Sequence, residues 1–119
     1  MKKILVIEDN EQNLYLVTFI LEKSGYEVIP ARDGREGIDI ASKVKPALII
    51  LDIQLPLMDG YAVARELRKN PTLDDIPIVA VTSYAMTGDR EQALEAGCTG
   101  HIEKPINPET FIRDIEQYL

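Results

Sequence analysis

Five short apolar runs alternate with amphipathic stretches along this chain, and that alternation limits the fold more than any other feature. The run from Ile4 to Ile7 is too short for a helix and rich in β-branched residues, so it reads as a buried strand. Glu27 to Ile29 is a second, weaker strand closed by Pro30; Ala47 to Leu51 is the strongest, central strand. Ile76 to Val81 is a fourth, with Pro77 tolerable only near its start, and Gly100 to Ile102 a fifth. Between them the helical spacing predicts helices from about 11 to 23, 34 to 45, and around Val63, Ala64 and Leu67 to near Asn70-Pro71. A fourth helix runs from Gly88 to Ala96, and a closing helix carries Phe111, Ile112, Ile115 and Tyr118, with Asn107 as cap and Pro108 at its first position. Strands alternating with helices give five βα units, hence an α/β fold with a parallel sheet covered on both faces.

At 119 residues this is one domain, 1–119, with no repeat, linker or low-complexity tract, and no output domain is expected within it. The formal net charge of −7 argues against direct nucleic-acid binding and against a polybasic membrane anchor. No apolar run approaches the roughly 20 residues of a membrane span, and the N-terminal run meets Glu8 and Asp9 too soon for a signal peptide, so a cytoplasmic location is expected. The single Cys98 excludes an internal disulfide and paired-cysteine zinc clusters, and it reads as a small structural residue. His101 is the one histidine.

In open α/β sheets ligands bind at the carboxyl ends of the strands. Those ends carry Glu8 and Asp9 after strand one, Asp52 after strand three, Thr82 and Ser83 after strand four, and Lys104-Pro105 after strand five. If strands one, three and four are neighbours, three carboxylates, a hydroxyl and a lysine converge. Two carboxylates about 4 Å apart repel by about 1 kcal/mol in water and about 4 kcal/mol near a protein surface. One lysine does not balance three acids. A divalent cation would, and an oxygen-only donor set that leaves waters in place suits Mg²⁺. Taken singly, such acids could merely cap helices or solvate loops; the full set at successive strand ends points to a site. A preformed nucleotide pocket is the competitor on this architecture. It is discarded, because the loop after strand one is Glu8-Asp9-Asn10-Glu11, without the glycines that bare amides to phosphate.

Over its whole length the sequence resembles the receiver domains of two-component response regulators, most nearly the stand-alone kind. The matching pieces are Glu8-Asp9-Asn10, the stretch from Leu51 to Pro56 around Asp52, Met58-Asp59-Gly60, Val81-Thr82 and Lys104-Pro105. No piece is specific alone; their order, with spacings of 43, 30 and 22 residues between Asp9, Asp52, Thr82 and Lys104, is very specific. The resemblance implies a doubly wound, flavodoxin-like (βα)5 sheet in the order 2-1-3-4-5. It implies that Asp52 takes a phosphoryl group from a histidine kinase or histidine phosphotransfer protein and that the chain then switches or relays to a downstream protein target. Glu8, Asp9, Asp52 and the main-chain carbonyl of Gln54 would hold Mg²⁺. Lys104 would bind a phosphoryl oxygen, Thr82 would swing its hydroxyl onto another, and the Lys104-Pro105 bond would be cis. Catalysis would be limited to self-phosphorylation and autodephosphorylation, in a monomer or a weak phosphorylation-dependent dimer.

The family often carries Tyr or Phe three residues before the lysine; here that position is His101, either a solvent-facing edge residue or a titratable switch ring. Gln54 and Tyr84, two residues past Asp52 and Thr82, stand where relatives tune the lifetime of the phosphoryl group. The first helix from Leu14 to Leu21 is apolar nearly all round. Its excess either packs beneath neighbours or forms a docking patch. Docking candidates are Asn13 and Leu14 on that helix, and Leu55, Pro56 and Pro105 beside the acids. Two other readings are a Mg²⁺-dependent aspartyl-phosphate phosphatase and a receiver-like interaction module that works without phosphorylation. The first lacks an acid at Gln54 to protonate a leaving group; the intact set of Glu8, Asp9, Asp52, Thr82 and Lys104 argues against the second.

Overall fold

The computed structural model describes residues 2–82 and 89–119, the side chains of 89 and 90 excepted. Five strands, β1 (Lys3–Ile7), β2 (Glu27–Ala31), β3 (Leu48–Asp52), β4 (Ile78–Thr82) and β5 (Gly100–Glu103), alternate with α1 (Glu11–Lys23), α2 (Gly34–Val44), α3 (Gly60–Arg68), α4 (Asp89–Glu95) and α5 (Pro108–Glu116). The strands form one parallel sheet in the order β2-β1-β3-β4-β5. This is the doubly wound order expected.

Period-two alternation inside the central strands feeds two cores at once. Leu5, Ile7, Ile49, Leu51, Ile78 and Ala80 point to one face, where Ala41 of α2, Val63, Ala64 and Leu67 of α3 and Ala93 of α4 cover them. Ile4, Val6, Leu48, Ile50, Val79 and Val81 point to the other, beneath Leu14, Val17, Ile20 and Leu21 of α1 and Phe111 and Ile115 of α5. Side-chain caps start four helices. Asn10, Asp33, Asp59 and Asn107 accept from the amides of Asn13, Glu36, Ala62 and Glu109 at 2.9–3.0 Å. Each such cap is worth about 1 kcal/mol. Among the described residues no helix is long and apolar enough to cross a membrane.

Several boundaries differ from the sequence reading. Pro30 does not close β2: the strand runs on to Ala31, with Pro30 opposite Val6. Because β2 is an edge strand, an exposed residue there can lack its N–H without breaking a ladder. Lys45 lies outside α2 as its left-handed cap (φ 51°), its amide reaching the Ala41 carbonyl. A 3₁₀ turn, Pro71–Leu73, follows α3, with Asn70 accepting from the Thr72 amide at 3.1 Å. Arg68 knits this region together. Its guanidinium donates to the carbonyls of Gly97 and Leu73, each at 2.8 Å, and to Thr99 Oγ1 at 3.4 Å.

Candidate functional site

Strand register sets the site. Ile7 lies opposite Leu51, Asp52 opposite Val81 and Thr82 opposite Glu103. Glu8, Asp52, Thr82 and Lys104 therefore reach the same rim of the sheet, each at or one residue past a strand end. Glu8, Asp52 and Thr82 are at most 5% exposed, whereas Asp9 is open to solvent. One carboxylate oxygen each from Glu8, Asp9 and Asp52 lies within 4.8 Å of the others. The cluster opens into a cleft of about 320 Å³ lined by Glu8, Asp9, Asn10, Asn13, Asp52, Gln54 and Lys104.

Main-chain and lysine contacts fix the acids. Asp52 Oδ1 accepts from the Gln54 amide at 3.0 Å and from Lys104 Nζ at 3.2 Å, so its carboxylate is oriented from two sides. Lys104 Nζ also lies 3.6 Å from Glu8 Oε1, while Glu8 Oε2 accepts from the Asn10 amide at 3.2 Å. The Lys104 amide bonds the Thr82 carbonyl at 2.7 Å, tying the β5 end to β4, and the Lys104-Pro105 peptide is cis. One ammonium faces three carboxyl groups, and Glu8 registers the imbalance. Burial, then a hydrogen bond and the charge of Asp52, raise its carboxyl from its ordinary 4.5 to about 7, against the opposing pull of the Asn10 amide and Lys104. An oxygen-only donor set with excess negative charge fits a small divalent cation.

The raised Glu8 carboxyl gives a pH signature. Between about pH 4.5 and 7 the folded chain binds a proton that the unfolded chain has released. Stability therefore falls as pH rises through that window. Glu8→Gln keeps the size and removes the titration. In chelator-containing buffer, its urea midpoint is expected to gain on that of the unaltered chain as pH rises from about 5 to about 7.5, with the difference levelling above. A difference independent of pH would contradict this.

The structure thus brings Glu8, Asp9, Asp52, Gln54, Lys104 and Asn13 to one cleft, with Thr82 at the adjoining strand end. Other positions fall elsewhere. His101 is half-buried in β5 opposite Ala80 and lines cavities against α5 and α4, not the acid cleft. Tyr84 lies outside the described residues. Leu14 is a core residue, 7% exposed. The helical turn directs Tyr15 and Phe19, 74% and 54% exposed, to solvent in its place. Pro56 and Pro105 are exposed and Leu55 is half-buried against the core. Cys98 is buried and its thiol is pushed up to about 11, with Arg68 pulling weakly the other way. Sequence reasoning assigned no role to Asn10, which caps α1 and whose amide binds Glu8. Its signal was available, as an N-cap residue directly after the acids.

Residues 4–116 match the response regulator receiver domain family. The chain is 43% identical over 118 residues to the polar-differentiation response regulator DivK of Brucella anthropi and to that of Brucella ovis, covering 99% of this chain and 96% of each relative. It superposes on the chemotaxis protein CheY4 of Vibrio cholerae with a TM-score of 0.95 at 31% identity, over 100% of this chain and 99% of that one. It superposes with a TM-score of 0.91 at 32% identity on the receiver domain of a sensor histidine kinase from Pseudomonas aeruginosa, solved with a magnesium ion coordinated in its active site cleft. That match covers 98% of this chain and 96% of that one. With the acids, the lysine and the hydroxyl on one sheet rim, the chain belongs to the response regulator receiver domain family of two-component signalling.

Proposed function

We propose that the chain works as one receiver unit in the cytoplasm, accepting a phosphoryl group on Asp52 from a histidine kinase or phosphotransfer protein and passing the signal to a protein partner. The observation that carries this reading is the cleft itself: three carboxylates within 4.8 Å of one another and Lys104 3.2 Å from Asp52 Oδ1. In the transfer, an Asp52 oxygen forms the new O–P bond as the donor's N–P bond breaks. The electron pair returns to the imidazole nitrogen. Lys104, already against Asp52, offers its charge to a phosphoryl oxygen. Thr82, at the end of β4, would offer a hydroxyl to another. Glu8, Asp9, Asp52 and the Gln54 carbonyl would hold Mg²⁺, which supplies charge neutralisation for the transferring group when bound. Water attack on phosphorus later breaks the same O–P bond and restores the carboxylate. Gln54 cannot act as an acid, so turnover is confined to the chain's own phosphoryl group.

The test is intact mass after incubation with acetyl phosphate or phosphoramidate, with and without Mg²⁺, beside Asp52→Asn. The expected result is a gain of one phosphoryl group that requires Mg²⁺ and is absent in the variant. No gain in the folded, Mg²⁺-supplied unaltered chain would refute phospho-acceptance and favour an interaction module.

A further inference from the structure

A groove of about 300 Å³ runs between α1 and α5, on the face of the sheet opposite α2, α3 and α4. Leu16, Phe19 and Ile20 form one wall and Pro108 and Ile112 the other, so its lining is mostly apolar. The volume is at the low end for a small-molecule site and ample for a side chain. Ile20 is buried, and Leu16 and Ile112 are half-buried, but Phe19 stands 54% exposed on the rim. Tyr15, one turn earlier on the same stripe of α1, is more exposed still. Folding therefore leaves a hole and two aromatic knobs side by side, and a contiguous apolar patch of this kind marks a contact surface. The groove shares no lining residue with the acid cleft.

The charges on this face say what covers it. Lys23 borders the groove on the α1 side and Glu109 on the α5 side. Both are exposed, and neither is ion-paired to another described residue. The Lys23 ammonium lies instead 5.8 Å from the centre of the Phe19 ring. One face thus carries a knob, a hole and one unpaired charge of each sign, a set that is complementary to itself. A two-fold axis through the groove seats each Phe19 in the other copy's groove and brings each Lys23 to the partner's Glu109. The two charge pairs also offset the repulsion between two chains of net charge −7. We propose that the chain self-associates as a closed, transient dimer through the α1–α5 groove, with Phe19 as the central anchor and Lys23–Glu109 pairs at the edges. No residue of the acid cleft takes part, so the dimer needs neither Mg²⁺ nor a phosphoryl group and stands apart from the receiver reading above.

Sedimentation equilibrium of the full chain, in chelator and without phosphodonor, tests this over about 1 μM to about 1 mM. The unaltered chain is expected to pass from one copy to two within that range and to stop at two. Phe19→Ala should weaken the dimer about tenfold or more. Lys23→Glu and Glu109→Lys each turn both edge pairs into like-charge contacts, and each should weaken it about tenfold. Mixed together, the two charge variants regain opposite charges at both edges, so the mixture should dimerise within about threefold of the unaltered chain. The mixture separates a contact from a folding defect, because neither variant can repair misfolding in the other. A chain monomeric throughout overturns the proposal. So does assembly beyond two copies, which marks a head-to-tail contact. A dimer indifferent to Phe19→Ala or to the charge variants places the interface elsewhere, and two weakened variants that do not rescue each other exclude the two-fold pairing. Phosphorylation of Asp52 is measured separately, so failure here leaves the receiver reading untouched.

Discussion

Gly60→Ala is expected to cost about 3 kcal/mol of folding stability, the upper end of what overpacking by one methyl group usually costs. Gly60 opens α3, and its amide donates to the Ile53 carbonyl at 2.9 Å, so the first turn of the helix lies directly on the end of β3. A Cβ at Gly60 would meet the Ile53 Cα at 2.5 Å and the Asp52 carbonyl oxygen at 2.7 Å. Both atoms are backbone and cannot rotate away. Elsewhere in a helix, glycine to alanine gains about 0.5–1 kcal/mol, so the sign of the change is itself informative. Gly25→Ala is the control. Gly25 has φ +93° and nothing within 4 Å, so its cost is confined to backbone strain, about 1 kcal/mol. Urea unfolding of both variants checks the ranking. Comparable losses would show that the α3–β3 approach relaxes easily. Because the displaced atoms belong to Asp52 and its neighbour, Gly60→Ala is also expected to weaken the Mg²⁺ binding proposed for the cleft, in the fraction that stays folded.

What could be read from the sequence followed from local rules, and what could not depended on distant partners. The runs Ile4 to Ile7 and Ala47 to Leu51 declare buried strands because both faces are apolar, and the structure divides each between two cores. The acids were identifiable because strand ends in such a sheet are where ligands bind. Pro30 was misplaced because only strand order reveals β2 as an edge, where proline is harmless. Leu14 was misdirected for a related reason: a helix apolar nearly all round does not announce which stripe meets the sheet. Arg68 gave no signal, since its bonds to Gly97 and Thr99 span 29 and 31 residues. The adjacent acids Glu8 and Asp9 look alike in sequence. Their difference, one buried and shifted, the other open to solvent, comes from where Ala31, Asp52 and Lys104 sit around them.

Lys104→Met should separate the lysine's two tasks. Nζ lies 3.2 Å from Asp52 and 3.6 Å from Glu8, with the lysine side chain only 16% exposed, so water does not substitute well for the lost charge. Methionine fills the space of the stem and leaves the ammonium's work undone. With acetyl phosphate, phosphoryl acceptance is expected to slow about a hundredfold, the usual cost of removing one preorganised charge from a reacting centre. The stability cost depends on pH. Lys104 is one of the groups pulling the Glu8 carboxyl down, so the variant carries that carboxyl above about 7. Below that value Glu8 is protonated in both proteins, and only the contact with Asp52 is lost. Above it the unaltered chain ionises Glu8 beside a lysine, while the variant must hold the proton or bury an unpaired charge. Its folded form thus retains a proton that the unfolded chain has given up, and the penalty grows as pH rises. In chelator, the loss is expected to be larger near pH 8 than near pH 6. Urea titrations at the two pH values decide the matter. An equal loss at both would mean that Lys104 acts on Asp52 alone, and Glu8 would then have to be regarded as independent of the lysine beside it.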